Sequence, residues 1–237
     1  MATQLQLGPI TVQVLKKDIK NVHLSVLPPA GAVRIAAPRR MNMDAIRLFA
    51  ISKLSWIKQQ QRKLQGQERD PPRDYVDRES HYVWGKRYLL KLVEHDAPPV
   101  IVLKHRTIEL HARKSLAPDK REAVFEGWYR EQVKSALPPL LDKWQRALGV
   151  EINRSFVQRM KTKWGSSNPQ RRNIRLNTEL AKKPRDCLEY VLVHELAHFI
   201  SARHDDRFIR LLDRHLPTWQ VTRELLNTAP LRHEDWR

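Results

Sequence analysis

The residues of this sequence with the clearest chemical potential are His194, Glu195 and His198, which read H-E-x-x-H, and His204, six positions further on. Residues four apart on a helix project from one side, one turn apart, so His194 and His198 can bind the same ion. Glu195 lies about 100° further round that helix, where its carboxylate is free to take a proton from a metal-bound water. Three imidazoles that leave a fourth position to water are typical of a catalytic zinc rather than a structural one. The spacing therefore predicts a Zn²⁺ held by His194, His198 and His204, with Glu195 as the general base.

The side chains around this motif predict that its helix is buried. They are apolar almost all the way round: Leu188, Tyr190, Val191, Leu192, Val193, Leu196, Ala197, Phe199 and Ile200. Such a helix belongs in a core, where polar groups are costly unless they are paired or bind a metal. The alternative, two histidines on a solvated helix face, does not fit this pattern. Because His204 cannot bind from the same straight face, we expect the helix to end near residues 201–203 and the chain to turn back.

Neighbours of the motif have alternative roles. Asp205 and Asp206 either accept hydrogen bonds from the ligand imidazoles or cap the following helix, and we weigh the two equally. Tyr190 either contacts the oxyanion of the transition state or packs in the core, and we prefer packing. Phe208 and Cys187 are expected to be buried packing residues.

The front of the chain predicts strands followed by a helix. Three segments alternate polar and apolar residues, as half-buried strands do: residues 10–14, 23–27 and 33–35. Residues 43–64 have apolar side chains at helical spacing, with Asn42 as the cap. Residues 65–79 are polar and contain two consecutive prolines, which predicts a linker or an exposed loop.

The middle of the chain predicts more strands and then a long helix. The strands are expected over residues 82–93, 100–103 and 107–111. Gly85 indicates a tight hairpin turn or a bulge. Residues 117–148 are predicted to be helical, with Pro138 and Pro139 kinking or dividing the helix and Gly149 ending it.

The last third of the chain predicts a strand pair and then the motif helix. The pair consists of residues 155–161 and 173–177. Residues 164–166, between them, form either a substrate-facing edge or a tight turn with a core tryptophan; we prefer the turn for Trp164 and keep the edge role as an expectation. Pro184 opens the motif helix, where a proline in the first turn is tolerated. Two short helices are expected to follow, over residues 208–212 and 217–226.

Composition limits the class of protein. At 237 residues the chain can bury a core, as one large domain or two modest ones. No run approaches the roughly 20 apolar residues that span a bilayer, and residues 1–10 lack a basic segment followed by an apolar one. No membrane association and no secretory signal are therefore expected. Cys187 is the only cysteine, which excludes an intramolecular disulfide and favours the cytoplasm.

A formal net charge of +18 favours nucleic acid, an anionic surface or acidic protein as a partner. Basic residues surround the predicted strand pair: Arg154, Arg159, Lys161, Lys163, Arg171, Arg172 and Arg175. They either hold a phosphate backbone, hold an acidic peptide, or protect a solvated edge strand by their charge. Protein or peptide substrate and nucleic acid are both candidate partners, and the oligomeric state is not indicated.

Together these residues resemble the YgjP/SprT-like branch of the zincin metallopeptidases. The resemblance covers almost the full length and is strongest in four segments: residues 163–167 (K-W-G-S-S), 173–177 (N-I-R-L-N), 189–198 (E-Y-V-L-V-H-E-L-A-H) and 204–208 (H-D-D-R-F). It implies an α+β fold with a zincin-like metallopeptidase core, zinc on His194, His198 and His204, and Glu195 as the base. Two departures stand out. Ser167 occupies a position where the family often has cysteine, and Ser201 replaces the turn glycine of metzincins.

We therefore predict a β-rich N-terminal portion with one helix over residues 1–116 and a helix-rich catalytic portion over residues 117–237. The boundary is soft, and a single domain is the alternative. The predicted function is a zinc metallopeptidase that acts on proteins, including proteins near DNA. One alternative is a metal-dependent hydrolase of nucleotides or phosphate esters, which the charge supports and the absence of a P-loop opposes. The other is a nucleic-acid-binding module with structural zinc, which would have no need of Glu195 as a base.

Overall fold

A computed structural model describes residues 3–27, 31–65, 69–70, 73–160, 163–228 and 231–232 of the chain. The chain forms two compact units, one made of Met1–Pro72 with Thr228–Arg237 and the other of Arg73–Asn227. Residues 73–116 fall in the same unit as the histidine motif, because their sheet shares one apolar core with the helices that follow. The division into two portions that we predicted at residues 116 and 117 therefore remains a prediction.

The smaller unit is built on a four-stranded sheet. Its strands are β1 (Thr3–Leu7), β2 (Ile10–Lys17), β3 (His23–Leu27) and β4 (Ala32–Pro38), in the order β1-β2-β4-β3. β2 and β4 are parallel, whereas the other neighbouring strands are antiparallel. Ile10, Val12 and Val14 alternate along β2 and are buried, as expected when one face of a sheet covers a core. The three predicted strands are confirmed, and β1 is an additional one.

Residues 43–64, predicted as one helix, form two. α1 (Met43–Ser52) ends at Lys53, whose backbone N–H donates to the Ala50 carbonyl, and α2 (Leu54–Gln65) follows. Asn42 caps α1 as predicted, because its side-chain oxygen accepts a hydrogen bond from Ala45 N at 2.8 Å. No glycine or proline marks the break at Lys53, so the sequence carries no signal for it.

A short strand, β5 (Arg69–Asp70), lies within the predicted linker. The linker prediction falls partly outside the described residues, at 66–68 and 71–72.

The larger unit begins with a second four-stranded sheet. Its strands are β6 (Ser80–Val83), β7 (Lys86–Glu94), β8 (Val100–Leu103) and β9 (Thr107–Ala112), in the order β6-β7-β9-β8. Trp84 and Gly85 join β6 to β7 with φ values of 50° and 78°. Positive φ at both central residues is the geometry of a two-residue hairpin. The predicted tight turn at Gly85 is confirmed.

α3 (Pro118–Leu148) is one continuous helix, so Pro138 and Pro139 do not divide it. Each proline removes a backbone N–H from the helix. One face of the helix is nevertheless buried on both sides of them, with Phe125, Tyr129, Val133, Leu137 and Trp144 in the core. We attribute the continuity of the helix to the packing of this face. α3 ends as predicted at Gly149, which has a φ of 64°.

The remaining elements surround the histidine motif. They are β10 (Arg154–Gln158), β11 (Gly165–Asn168), β12 (Asn173–Asn177), a 3-10 helix (Thr178–Lys182), α4 (Arg185–Ala197), α5 (Asp206–His215), α6 (Trp219–Thr228) and β13 (Leu231–Arg232). β12 is the central strand of a three-stranded sheet, parallel to β10 and antiparallel to β11. The predicted strand pair is therefore present, and β11 adds an edge strand. β13 pairs with β5.

α4 is the buried centre of the larger unit, as its apolar surroundings predicted. Its buried residues include Leu188, Val191, Leu192, Val193 and Leu196, all at most 4% exposed. The mixture of sheets and helices confirms the predicted α+β class. Within the ranges that the structure describes, no helix is both long and apolar enough to cross a lipid bilayer.

Candidate active site

The structure brings His194, His198 and His204 together. One ring nitrogen from each can be chosen so that all three atoms lie within 4.8 Å of one another. The Nε2 atoms of His194 and His204 are 3.2 Å apart. Two nitrogens bound to one tetrahedral zinc at about 2.05 Å would be about 3.3 Å apart. The cluster therefore has the dimensions of a three-nitrogen metal site.

The chain turns between His198 and His204 earlier than the sequence predicted. α4 ends at Ala197, and His198 is its C-cap, so the expectation of an end near residues 201–203 is wrong. Ser201 N still donates to the Ala197 carbonyl at 2.9 Å, and Ser201 Oγ donates to Asp205 Oδ1 at 2.9 Å. A serine with these bonds holds the turn, so the glycine of metzincins is not required here.

Asp205 is the cap of α5, one of its two predicted roles. Its Oδ1 accepts a hydrogen bond from Phe208 N at 3.0 Å. The Phe208 N–H, followed by the Ser201 hydroxyl, lowers the pKa of Asp205 below its usual value. Asp206 lies in the first turn of α5, where a negative charge favours the helix. This capped turn fixes the segment that carries His204.

Phe208 packs against all three imidazoles, with ring centroids 4.7 to 5.0 Å from theirs. It is 1% exposed, which confirms the predicted packing role. His198 Nδ1 lies 3.2 Å from the Ser201 carbonyl oxygen, and a hydrogen bond there leaves Nε2 free to bind a metal. Burial, with smaller contributions from nearby His198 and His204, lowers the pKa of His194 to about 4. The imidazole is thus neutral at pH 7, the form that binds metals.

Glu195 is buried beside this cluster, with 7% of its surface exposed. Burial raises its pKa to about 7, against the opposing effects of a hydrogen bond from Ser167 and the positive charge of Lys163. A carboxylate with a pKa near the working pH is well suited to accept and return a proton. This environment is compatible with the general-base role predicted for Glu195, which stays a prediction.

Asn177, which the sequence analysis did not single out as a site residue, fixes the segment that leads into β11. Its amide nitrogen donates to the carbonyls of Met160 and Lys163, both at 2.8 Å. Its amide oxygen accepts from Glu179 N at 3.1 Å, and its backbone N–H donates to the Trp164 carbonyl at 2.9 Å. These bonds fix the position of the segment that leads into β11. Trp164 lies in a bend before the strand and is half-buried against the core.

β11 is the edge of its three-stranded sheet, so part of the predicted segment 164–166 lies at an edge after all. Its residues Gly165 and Ser167 face α4, because they are paired through β12 with the buried side of the sheet. The turn that we preferred for Trp164 agrees with its place in the bend, whereas the strand β11 itself was not predicted. G-S-S-N contains no β-branched or aromatic residue and so gives little strand signal.

A cleft of about 240 Å³ opens beside Glu195. Its walls come from the start of β11, from α4 and from α6: Lys163, Trp164, Gly165, Tyr190, Val191, His194, Glu195, Arg223 and Leu226. Tyr190 is 6% exposed, and its ring stacks on that of Trp219 at 6.3 Å. It therefore packs as predicted and also lines the cleft. Arg223 is a cleft residue that the sequence analysis missed, because it lies in a separate helix without any motif.

The remaining residues that the sequence singled out are Cys187 and the basic residues around the strand pair. Cys187 is fully buried, and burial raises the pKa of its thiol to about 11, in line with a packing role. Of the basic residues, Arg159 pairs with Glu126 at 2.7 Å and Arg172 with Glu151 at 3.6 Å. Lys161 is outside the described residues.

A larger cleft of about 900 Å³ lies at the end of α3. It contains none of the three histidines or Glu195. The chemistry therefore belongs to the smaller cleft.

A comparison with protein families supports a peptidase chemistry. A family model described as YgjP-like, metallopeptidase domain, matches residues 20–229. Among solved structures, the chain is similar to the metallopeptidase zymogen abylysin of Pyrococcus abyssi, with 19% identity, coverage of 40% of this chain and 97% of that one, and a TM-score of 0.35. It is also similar to the metallopeptidase zymogen jannalysin of Methanocaldococcus jannaschii, with 22% identity, coverage of 41% of this chain and 86% of that one, and a TM-score of 0.31. No curated protein matches the chain.

Proposed function

The chain belongs to the YgjP-like metallopeptidase family and is a metallopeptidase, and we propose that it hydrolyses peptide bonds at a zinc site formed by His194, His198 and His204. A metallopeptidase needs a metal ion, and the three-histidine cluster is compatible with one. The observation that carries the proposal is the cluster itself, with buried Glu195 next to it. Zinc accepts nitrogen ligands readily, whereas magnesium and calcium prefer oxygen.

In the proposed mechanism Zn²⁺, when bound, polarises the scissile carbonyl and makes water more acidic. Glu195 takes the proton of the attacking water and passes it to the leaving amine. Its raised pKa matches this double role, because the group must both accept and release a proton near neutral pH. Ser167 donates a hydrogen bond that holds the carboxylate in place. His198, fixed by its bond to the Ser201 carbonyl, keeps its ring oriented towards the site.

The substrate is proposed to be a protein or peptide in extended conformation. β11 is an edge strand next to Glu195, and an extended peptide can add to such an edge through main-chain hydrogen bonds. This geometry would bring the peptide carbonyls alongside the histidine cluster.

We also propose that the substrates include proteins near nucleic acid, in the cytoplasm. The net charge of +18 supports nucleic-acid proximity, and the single cysteine fits a reducing compartment. Phe156 of β10 is partly exposed, and the Arg175 guanidinium lies 5.6 Å from the centroid of its ring. A ring and a cation on an outer sheet face can contact bases and phosphates.

The test is to incubate the purified protein with an unfolded protein substrate, with and without a zinc chelator. We expect cleavage that is lost with the chelator and restored by added Zn²⁺. Single-stranded DNA is added in a further arm, where binding should weaken steeply as salt rises. Release of phosphate from nucleotides, without cleavage of any protein, would instead support a phosphate-ester hydrolase. Stoichiometric zinc with neither activity would support a structural site.

A further inference from the structure

The cleft beside Glu195 has two positively charged side chains and one carboxylate. Lys163 precedes β11, and Arg223 lies in the middle of α6. Glu195 is the only acidic residue among the residues that line the cleft. In the part of the chain that the structure describes, neither Lys163 nor Arg223 forms an ion pair. Both cations therefore remain available to an anionic ligand.

Both cations act electrostatically on the active-site groups. The positive charge of Arg223 contributes to the lowered pKa of His194 and opposes the burial that raises the pKa of Tyr190. Lys163 similarly opposes the effect of burial on Glu195. Because His194 and Glu195 line the same cleft, a negative group bound between Lys163 and Arg223 would lie next to the proposed site of cleavage.

The guanidinium of Arg223 lies over the ring of Trp219. Its guanidinium carbon lies 5.9 Å from the centroid of the Trp219 ring, one helical turn earlier on α6. Trp219 is 4% exposed, stacks on Tyr190 and donates from Nε1 to Asp213 Oδ1 at 2.8 Å. A cation–π contact with a buried ring favours a position of the guanidinium at the edge of the cleft.

The rest of the cleft is apolar and small. Trp164, Val191 and Leu226 contribute apolar wall, and the volume of about 240 Å³ is below the roughly 300 Å³ at which small-molecule sites begin. A cleft of this size suits one side chain or one chain end. An apolar wall with cations suits an aliphatic stem that ends in a carboxylate.

We propose that this cleft is a specificity subsite in which Lys163 and Arg223 bind a substrate carboxylate next to the cleaved bond. The carboxylate has two sources, an acidic side chain or a free C-terminus. This inference rests on the proposed peptidase function and adds the substrate class to it.

The test compares four peptides that differ only at the position next to a mapped cleavage site. Two carry Glu or Gln there, and two end there with a free or an amidated C-terminus. The enzymes are the wild type, Arg223→Gln, Lys163→Met and, as a matched control, Arg210→Gln on the exposed face of α5. Zinc content is measured for each protein, so that a loss of metal is separated from a loss of specificity.

We expect the wild type to cleave one of the two carboxylate peptides with a kcat/KM about tenfold or more above that of its neutral partner. Arg223→Gln and Lys163→Met should remove that preference, because they raise KM for the carboxylate peptide more than for its neutral partner, whereas Arg210→Gln should leave both values unchanged. A further variant, Arg223→Glu, is tested with a fifth peptide that carries Lys at the same position. It should reverse the preference, so that the Lys peptide is cleaved better than the Glu peptide. Whichever pair shows the preference identifies the source of the carboxylate.

Equal cleavage of charged and neutral peptides by the wild type overturns the subsite and leaves the peptidase intact. The same holds if Arg223→Gln slows all peptides by one common factor. Failure of the zinc-loaded wild type to cleave any peptide or protein overturns the proposed function, and the subsite with it.

Discussion

Gly165 approaches Glu195 so closely that no side chain fits between them. A β-carbon built on Gly165 would lie 2.8 Å from Glu195 Oε1, from Glu195 Cγ and from Val191 Cγ1. Contacts below 3.0 Å between such atoms require one of them to move. The glycine thus lets the edge strand β11 lie directly against the helix that carries the base. The position of the Glu195 carboxylate depends on the absence of a side chain at Gly165.

Gly165→Ala is therefore expected to displace the Glu195 side chain and to lower kcat by about 100-fold, the cost of a misplacement near 1 Å. Bound zinc should be unchanged, because the three atoms nearest to the added β-carbon belong to Glu195 and Val191 rather than to the histidines. Gly127→Ala is the control, since a β-carbon on Gly127 of α3 meets no atom within 4 Å. This control should retain full activity and gain about 0.5–1 kcal/mol of stability. Full activity in Gly165→Ala would contradict the account.

Asn177→Ala should destabilise the protein and impair catalysis together. The substitution removes side-chain bonds to Met160, Lys163 and Glu179 at a position that is 4% exposed. We expect a loss of roughly 2–4 kcal/mol in the free energy of unfolding, measured by urea denaturation. The rate of peptide cleavage by the remaining folded protein should also fall, because β11 loses its anchor. Exposed Asn153→Ala is the comparison, and an equal effect of both substitutions would be evidence against the positioning role.

His204→Ala should lose metal, because two imidazoles remain from a set of three. Substitution of a residue that only orients a metal ligand lowers metal affinity by about 10–100-fold. Removal of a ligand should therefore lower the zinc affinity by about 100-fold or more. The measurement is zinc content after dialysis against a weak chelator, alongside His105→Ala, whose imidazole is exposed in a loop. Wild-type zinc affinity in His204→Ala would show that His204 is not a ligand.

His81 should make stability depend on pH. Its ring is 1% exposed and stacks on Phe125 at 4.6 Å. Burial, with added effects of Arg73 and Lys182, lowers its pKa from 6.5 to about 3. Between pH 6.5 and pH 3 the His81 imidazole is protonated in the unfolded chain but not in the folded chain. The free energy of unfolding therefore decreases as the pH falls through this range. At pH 5 the cost is about 2 kcal/mol.

The check on His81 is urea denaturation at pH 7.5 and pH 5.0 for the wild type and His81→Phe. The variant keeps an aromatic ring against Phe125 and does not titrate. Other histidines contribute equally in both proteins, so the difference between the two pH-dependent losses isolates His81. An identical loss of stability in both proteins would show that His81 is not the responsible group.

The proximity of His194 and His198 could be predicted from the sequence because the helical period is fixed. His194 and His198 must lie one turn apart on any helix, and the apolar residues between them require burial. The early end of α4 at Ala197 was not predictable, because no glycine or proline marks it. The turn depends instead on side-chain bonds between Ser201 and Asp205, which form only after the chain has folded back.

Residues that reach the site from other segments were harder to foresee. Arg223 lies far from the motif in sequence and is brought to the cleft by the packing of Trp219 on Tyr190. β11 was missed because small polar residues have little strand propensity, although its pairing with β12 and its contact with α4 define it clearly. Such tertiary contacts override local preference and leave no periodic signal.

The most direct test of the account is a comparison of the wild type with Glu195→Gln, with Glu131→Gln on the exposed surface of α3 as the control. Zinc content and cleavage of an unfolded protein are measured on the same samples. We expect stoichiometric zinc in all three proteins, full cleavage by the control, and a rate about 10²- to 10⁴-fold lower in Glu195→Gln. Undiminished cleavage by Glu195→Gln, or wild-type protein that binds no zinc, would contradict the central claim.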